Sequence, residues 1–142
     1  MINTDYLERC LLTLERAIDG INSCEAGTID YEMYRNATIK GFELTLEISG
    51  KLLRKAIKPY FSGSKKVDQL VFKDIFRYAA KHGLLTVAEV ERWHCYRDNR
   101  NTTEHDYGEE FAEETLKLMP DFVNDVRSLV ASIQYVQSES KS

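Results

Sequence analysis

Apolar side chains recur at steps of three and four residues along almost the whole of this 142-residue chain. The spacing is regular at Leu7, Leu11 and Leu14 near one end, and at Leu129 and Ile133 near the other. Steps of this kind place side chains on one face of an α-helix. Because the chain has only two prolines and seven glycines, few positions interrupt a helix. The pattern therefore predicts an all-α fold.

Local signals divide the pattern into five helical regions. Thr86 and Glu89 form a capping box, which marks the start of the fourth helix. Asp30 is expected to cap the second helix, Pro59 to end it, and Gly83 to close the third in the left-handed conformation. Pro120 either kinks the last helix or starts a new one. The predicted helices span about 4–22, 31–57, 67–82, 86 to within 101–104, and 108–137, with a loop at 60–66.

The predicted helices have short connections, which favours antiparallel neighbours. We expect one domain, residues 1–137, folded as an up-and-down antiparallel bundle of four to five helices. Residues 138–142 are expected to form a disordered polar tail. No internal repeat or linker divides the chain.

Charge and cysteine usage narrow the class of protein. The formal net charge is −4, but residues 51–81 hold nine Lys or Arg and two Asp, a local charge of +7. These cationic side chains either lie on solvated helix faces or allow a polyanion to bind one side of the molecule. The three cysteines show no Cys-x-x-Cys spacing, which argues against a disulfide framework and a cysteine zinc site. With no secretion signal or membrane span visible, we expect a cytoplasmic protein.

The residues with chemical potential are concentrated between 93 and 107. Arg100 can stabilise charge on a phosphoryl oxygen, and the imidazole of His105 can move a proton near neutral pH. A regular helix would turn these two side chains about 140° apart, so a shared cleft requires the helix to break between them. The alternative is structural, with Arg100 paired to Glu104 and His105 closing a helix end.

A second candidate surface lies on the long second helix. Glu43, Glu47 and Lys51 are four residues apart, and the last two can form an ion pair. This face could contact a partner or substrate, together with Arg97 from the fourth helix, or it could simply be solvated. The histidines are not spaced as metal ligands, and no phosphate loop is present, so neither a metal nor a cofactor is expected.

Two motifs carry a family resemblance. The run Arg100-Asn101-x-x-x-His105-x-Tyr107 resembles the motif of the HEPN superfamily in its HepT-like form. A second run, in the second helix, resembles the signature of the nucleotidyltransferase substrate-binding proteins, which share that bundle fold. The second run is Phe42-Glu43-x-Thr45-x-Glu47 followed by Lys51. The resemblance extends from about residue 7 to residue 130, although the family often has bulky aromatic residues where this chain has Leu46 and Gly50.

The resemblance implies that the chain is the helical partner of a separate minimal nucleotidyltransferase, and two functions then remain open. In the first, the chain is a metal-independent ribonuclease toxin in which Arg100 and His105 cleave RNA and Asn101 supports them. The nucleotidyltransferase is then the antitoxin, which silences the toxin by attaching AMP to Tyr107. In the second, the chain is a non-catalytic subunit that binds substrate for the nucleotidyltransferase. The resemblance also implies a homodimer, which would bring two copies of Arg100 and His105 to one interface.

Overall fold

The computed structural model describes residues 2–103 and 109–140 of the chain. This part of the chain contains helices and no strand, which confirms the predicted all-α class. None of the helices in the described ranges is long and apolar enough to cross a membrane. The helices are α1 (Asp5–Asn22), α2 (Ile29–Ile57), α3 (Ser64–Asp68), α4 (Phe72–Lys81), α5 (Val87–Thr103) and α6 (Glu109–Ser140), with a 3₁₀ turn at Lys58–Tyr60 after α2.

Helix α2 lies at the centre of the bundle and packs against α1, α4 and α6, while α5 packs between α4 and α6. Five aromatic rings from four helices meet in the core. Phe42 of α2 lies 4.8 Å from Phe122 of α6, and Phe76 of α4 lies 4.8 Å from Trp93 of α5, measured between ring centroids. Tyr96 contacts Phe122 edge to face at 5.0 Å. All five are at most 1% exposed, so these rings join the main helices at one point.

A buried carboxylate fixes α5 against α6. Asp125 accepts hydrogen bonds at 2.8 Å from Nε and Nη2 of Arg92, and at 2.5 Å from the hydroxyl of Tyr96. Burial, and then the hydrogen bond to Asp125, raises the pKa of the Tyr96 phenol above its usual range. The hydrogen bonds to Asp125 similarly raise the pKa of Arg92. The carboxylate is thus satisfied by a paired cation and a neutral phenol, as a buried charge requires.

The two helix caps predicted from the sequence have different outcomes. The capping box is confirmed, because the Thr86 amide donates to Glu89 at 2.9 Å and the Glu89 amide donates to Thr86 at 3.1 Å. The expected Asp30 cap is wrong. Thr28 caps α2, since its hydroxyl oxygen accepts from the Tyr31 amide at 3.2 Å. Asp30 lies in the first turn, where a carboxylate still complements the helix dipole.

The predicted third helix, 67–82, is divided in the structure into α3 and α4, and part of the predicted loop is helical. Nη1 of Arg54 donates to the carbonyl of Val67 at 2.6 Å. In a continuous helix the Val71 amide would bond to that carbonyl. Val71 instead precedes α4 and is 62% exposed, so the predicted helix does not continue through it.

The end of α4 follows the prediction. Gly83 has φ +83°, a conformation that glycine adopts without strain. The Gly83 amide donates to the Ala80 carbonyl at 3.1 Å, and the Leu84 amide donates to the Ala79 carbonyl at 2.9 Å. These two bonds form a Schellman motif, which ends the helix and directs the chain toward α5.

The last helix is longer than predicted. Helix α6 continues through Pro120 as one helix, so no new helix starts there. It also passes the predicted boundary at Gln137 and extends to Ser140. The predicted apolar face is confirmed at Leu129 and Ile133, which are 0% exposed.

Candidate functional site

A cleft of about 440 Å³ lies between α2, the start of α4 and the C-terminal part of α5. It brings together residues that are far apart in the sequence. Its walls are formed by Glu47, Gly50, Lys51 and Arg54 of α2, by Leu70, Val71, Phe72 and Ile75 around the start of α4, and by Arg97, Arg100 and Asn101 of α5. Residues from both surfaces that the sequence suggested separately therefore line one cleft, with Glu47 and Lys51 from one surface and Arg100 and Asn101 from the other.

The cleft is basic although the protein is acidic overall. Four cationic side chains and one carboxylate line it, a local charge of +3 in a chain of net charge −4. The carboxylate belongs to Glu47, and it lies 3.6 Å from Nζ of Lys51, which confirms the expected ion pair. Both side chains are more than half exposed, so the pair adds little stability. Positive charge concentrated in a concave surface attracts anions.

Phe72 forms an aromatic wall of the cleft and holds Arg97 in place. The guanidinium of Arg97 lies 5.1 Å from the Phe72 ring centroid, within range of a cation–π interaction. A Cβ atom at Gly50 would come within 2.8 Å of the Phe72 ring. The absence of a side chain at Gly50 thus lets Phe72 approach α2.

Arg54 is a site residue that the sequence reasoning missed. It lines the cleft and also holds the end of α3 through the Val67 carbonyl. A signal was present, because Glu47, Lys51 and Arg54 follow the i, i+4, i+7 spacing of one helix face. Phe72 was also missed, because an apolar side chain within a helical pattern predicts a core position and not a wall of a cleft.

Polar contacts fix α4 against α5 beside the cleft. A ring nitrogen of His94, Nε2, donates to the Lys73 carbonyl at 3.1 Å. The Lys73 ammonium lies 2.7 Å from a carboxylate oxygen of Asp98. His94 and Asp98 are one helical turn apart on α5, so the start of α4 is held at two points.

The predicted site residues have different outcomes. Arg97, Arg100 and Asn101 line the same cleft as Glu47 and Lys51. Glu43 is half-buried on α2 and is not part of the cleft wall.

The other expected residues of this region, His105 and Tyr107, lie outside the described residues, as does the pairing of Arg100 with Glu104. Helix α5 is continuous through Thr103. The helix break expected between Arg100 and His105 therefore stays a prediction.

Comparison with known proteins shows which family the chain resembles. The family model described as nucleotidyltransferase substrate binding protein like matches residues 3–135. A Haemophilus influenzae protein named probable ribonuclease HepT is 25% identical over 137 residues, which cover 94% of this chain and 92% of that protein.

Solved structures agree on the fold. One, from Haemophilus influenzae, is described as the fold of a substrate binding domain of a nucleotidyltransferase. It is 25% identical to this chain, and the match covers 93% of this chain and 99% of the solved chain, with a TM-score of 0.81. A second, from Thermus thermophilus, has 24% identity and a TM-score of 0.72 over 89% of this chain and 98% of its own. The chain belongs to the family of nucleotidyltransferase substrate binding protein-like proteins.

Proposed function

We propose that the chain is a metal-independent endoribonuclease that works as the helical partner of a separate minimal nucleotidyltransferase. The observation that carries this proposal is the basic cleft. Lys51, Arg54, Arg97 and Arg100 line it together, and a phosphodiester is the anion that such a set of cations suits. The name of the Haemophilus influenzae relative, probable ribonuclease HepT, supports the same function.

Two residues carry the proposed chemistry. His105 accepts the proton of a ribose 2′-hydroxyl, whose oxygen then attacks the adjacent phosphorus. The bond from phosphorus to the 5′-oxygen breaks, and the leaving oxygen takes up a proton from solvent water. Arg100 stabilises the charge that builds on the phosphoryl oxygens, and Asn101 adds a hydrogen bond beside it. The products are a 2′,3′-cyclic phosphate and a 5′-hydroxyl.

The partner enzyme is proposed to regulate this activity through Tyr107. The phenolic oxygen attacks the α-phosphorus of ATP, AMP is transferred, and pyrophosphate leaves. AMP attached two residues from His105 would fill space near the cleft and repel substrate phosphate. The pair would then act as a toxin and its antitoxin.

We also propose a homodimer. Ile29, Met33 and Leu44 are 76%, 59% and 40% exposed, and their spacing places them on one face of α2. Glu47 and Lys51 continue this face to the edge of the cleft. A second copy packed on this face, which also carries the exposed Asn36 and Lys40, would bring two basic clefts close together and would remove the three apolar side chains from water.

The product ends test the proposed reaction. Purified, unmodified protein incubated with RNA and a chelator should give fragments with 2′,3′-cyclic phosphate and 5′-hydroxyl ends. Fragments with 5′-phosphate ends, or activity that the chelator abolishes, would contradict the mechanism. His105→Ala should yield no such fragments, which separates the protein's own activity from a contaminating nuclease.

A second function is favoured by the family description and by the substrate-binding fold described for the Haemophilus influenzae structure. In this alternative the cleft binds a substrate for the nucleotidyltransferase and performs no chemistry. Calorimetry distinguishes the two. The alternative expects a nucleotide or small acceptor to bind the complex more tightly than the nucleotidyltransferase alone, and expects Arg97→Ala to weaken that binding. Equal affinity for the complex and the isolated nucleotidyltransferase would exclude it.

A further inference from the structure

Two exposed rings stack on the surface at the far end of α4 from the cleft. Tyr60, in the 3₁₀ turn after α2, and His82, at the end of α4, have ring centroids 4.0 Å apart and planes only 4° apart. Tyr60 is nevertheless 44% exposed, and His82 is also exposed. The next ring along the chain, Phe61, contacts Tyr78 of α4 edge to face at 5.1 Å, so a second aromatic contact joins this turn to α4. The stack offers aromatic surface to solvent at a fixed position.

The segment from residue 55 to residue 82, which carries both rings of this stack, is rich in lysine, and Lys58 and Lys81 are close to Tyr60 and His82 in the chain. Five lysines between residues 55 and 82 are exposed, and none of them forms an ion pair with a carboxylate in the part of the chain that the structure describes. Lys81 lies over the Tyr78 ring, 5.9 Å from its centroid. The carboxylates between residues 55 and 82 are those of Asp68 and Asp74, and Asp74 is bound by Arg77 at 2.8 Å. The five lysines are Lys55, Lys58, Lys65, Lys66 and Lys81.

Stacked rings in a lysine-rich segment suit a particular class of ligand. Single-stranded nucleic acid presents both base faces and phosphates, and proteins bind it with aromatic platforms inside basic surfaces. A duplex keeps its bases stacked internally, and an acidic protein offers charge without flat rings. The exposed face of Tyr60 or His82 would add nothing for either of those partners.

The position of the stack relates it to the cleft. Phe72 at the start of α4 lines the cleft, and His82 follows at the end of the same helix. Ten residues of helix correspond to about 15 Å. That distance is about four nucleotides at the roughly 3.4 Å spacing of a stacked strand.

We propose that Tyr60, His82 and the lysines of this segment form a ledge that binds single-stranded RNA about four nucleotides from the cleft. A base stacks on the exposed aromatic surface, and the adjacent phosphates contact Lys58 and Lys81. This inference rests on the proposed function for the identity of the ligand. It adds that the substrate is a single strand long enough to reach both places.

Binding is measured by fluorescence anisotropy with a 2′-O-methyl RNA 12-mer, which lacks the attacking hydroxyl and stays intact. The affinity of the wild-type protein is measured for three ligands: the single strand, its duplex, and an abasic strand of equal length and charge. The single strand should bind most tightly. Equal affinity for the abasic strand, or tighter binding of the duplex, would overturn the proposal.

Variants locate the contact. Tyr60→Ala should weaken binding of the single strand by about five- to 150-fold, the range for one stacked base, while Tyr60→Trp should keep it within about twofold. Tyr6→Ala is the matched control, because Tyr6 is 57% exposed on α1. Lys58→Ala should make the slope of log affinity against log salt concentration shallower by about 0.7, the value of one phosphate contact on a single strand. Unchanged affinity of Tyr60→Ala for the single strand would contradict the ledge. It would also be contradicted if Tyr60→Ala weakened binding to the nucleotidyltransferase and left binding to RNA unchanged.

Cleavage of ordinary RNA, measured separately, distinguishes this inference from the proposed function. If the wild type cleaves RNA and Tyr60→Ala binds the 12-mer normally, the ledge is wrong and the ribonuclease stands. If Tyr60→Ala loses binding but the wild type cleaves nothing, the ribonuclease is wrong and the ledge stands.

Discussion

The guanidinium of Arg97 lies 5.1 Å from the centre of the Phe72 ring, which in turn lies against the bare backbone of Gly50. This contact joins α2, α4 and α5 at one wall of the basic cleft. It gives each of the three residues a role in positioning positive charge, and it explains why a glycine suits the middle of the long helix α2.

The contact predicts that Gly50→Ala impairs the site more than the fold. Alanine in place of helical glycine gains up to about 1 kcal/mol of helix stability, but its Cβ would displace Phe72 and thereby Arg97. We expect RNA affinity to fall about two- to fivefold, the value of one exposed cation–π contact. Binding is measured by anisotropy, with Gly63→Ala as the control, because an added methyl there meets nothing within 4 Å.

A double-mutant cycle makes that test specific. In a Phe72→Ala background the ring is absent, so Gly50→Ala should have little further effect on binding, and the two changes should not add. Additive losses would show that Gly50 acts independently of Phe72.

Asp125 should be a major determinant of stability. It accepts three hydrogen bonds from Arg92 and Tyr96, and Asp125→Ala leaves the buried Tyr96 hydroxyl without its acceptor. We expect a loss of about 2–4 kcal/mol in the free energy of unfolding. Asp121→Ala, an exposed carboxylate one turn earlier, should change it by less than about 0.5 kcal/mol. Urea unfolding of both variants provides the comparison, and similar midpoints would contradict the role of Asp125.

The fold was predictable where signals are local. The capping box at Thr86 and the glycine at Gly83 carry their own hydrogen-bonding requirements, and both ended or began helices as expected. The division of the third predicted helix was not predictable, because it depends on Arg54 reaching the Val67 carbonyl from another helix.

The site was predictable only in parts. Spacing placed Glu47 and Lys51 on one face of α2, and Arg97 and Arg100 on one side of α5. It did not show that these faces meet, because a helical period fixes which side chains share a face and leaves the neighbouring helix undetermined. Phe72 belongs to the cleft for the same reason, through packing that its own stretch of sequence does not encode.

The raised pKa of Tyr96 predicts a specific loss of stability in alkali. An unfolded tyrosine loses its proton near pH 10, whereas folded Tyr96 retains it because burial and Asp125 raise its pKa. Above about pH 10 the unfolded state therefore binds fewer protons, and the free energy of unfolding falls as pH rises. The contribution of this one residue lowers the free energy of unfolding by about 1.4 kcal/mol per pH unit until the pH reaches the raised pKa.

Tyr96→Phe removes this contribution. Urea unfolding between about pH 9 and 11, the range around the pKa of an unfolded tyrosine, should show a shallower decline for the variant than for the wild type, although the variant is less stable at neutral pH. Parallel declines would contradict a retained proton on Tyr96.

The regulatory proposal predicts covalent modification at one residue. Incubation with the minimal nucleotidyltransferase and ATP should raise the intact mass of the wild-type chain by one or more AMP units. Tyr107→Phe removes the attacking oxygen, so its mass should stay unchanged, while Tyr6→Phe should be modified like the wild type. The same mass increase in Tyr107→Phe would exclude Tyr107 as the acceptor.

The central claim is that Arg100 and His105 cleave RNA in the basic cleft, and the single-turnover cleavage rate in excess chelator tests it most directly. Arg100→Ala should lower the rate about 100- to 1,000-fold, the usual loss when a group that stabilises transition-state charge is removed. His105→Ala should lower it by at least about 100-fold. Arg127→Ala, at an exposed position on α6, should stay within about twofold of the wild type. Equal rates in all four proteins, or no cleavage by the unmodified wild type, would contradict the claim.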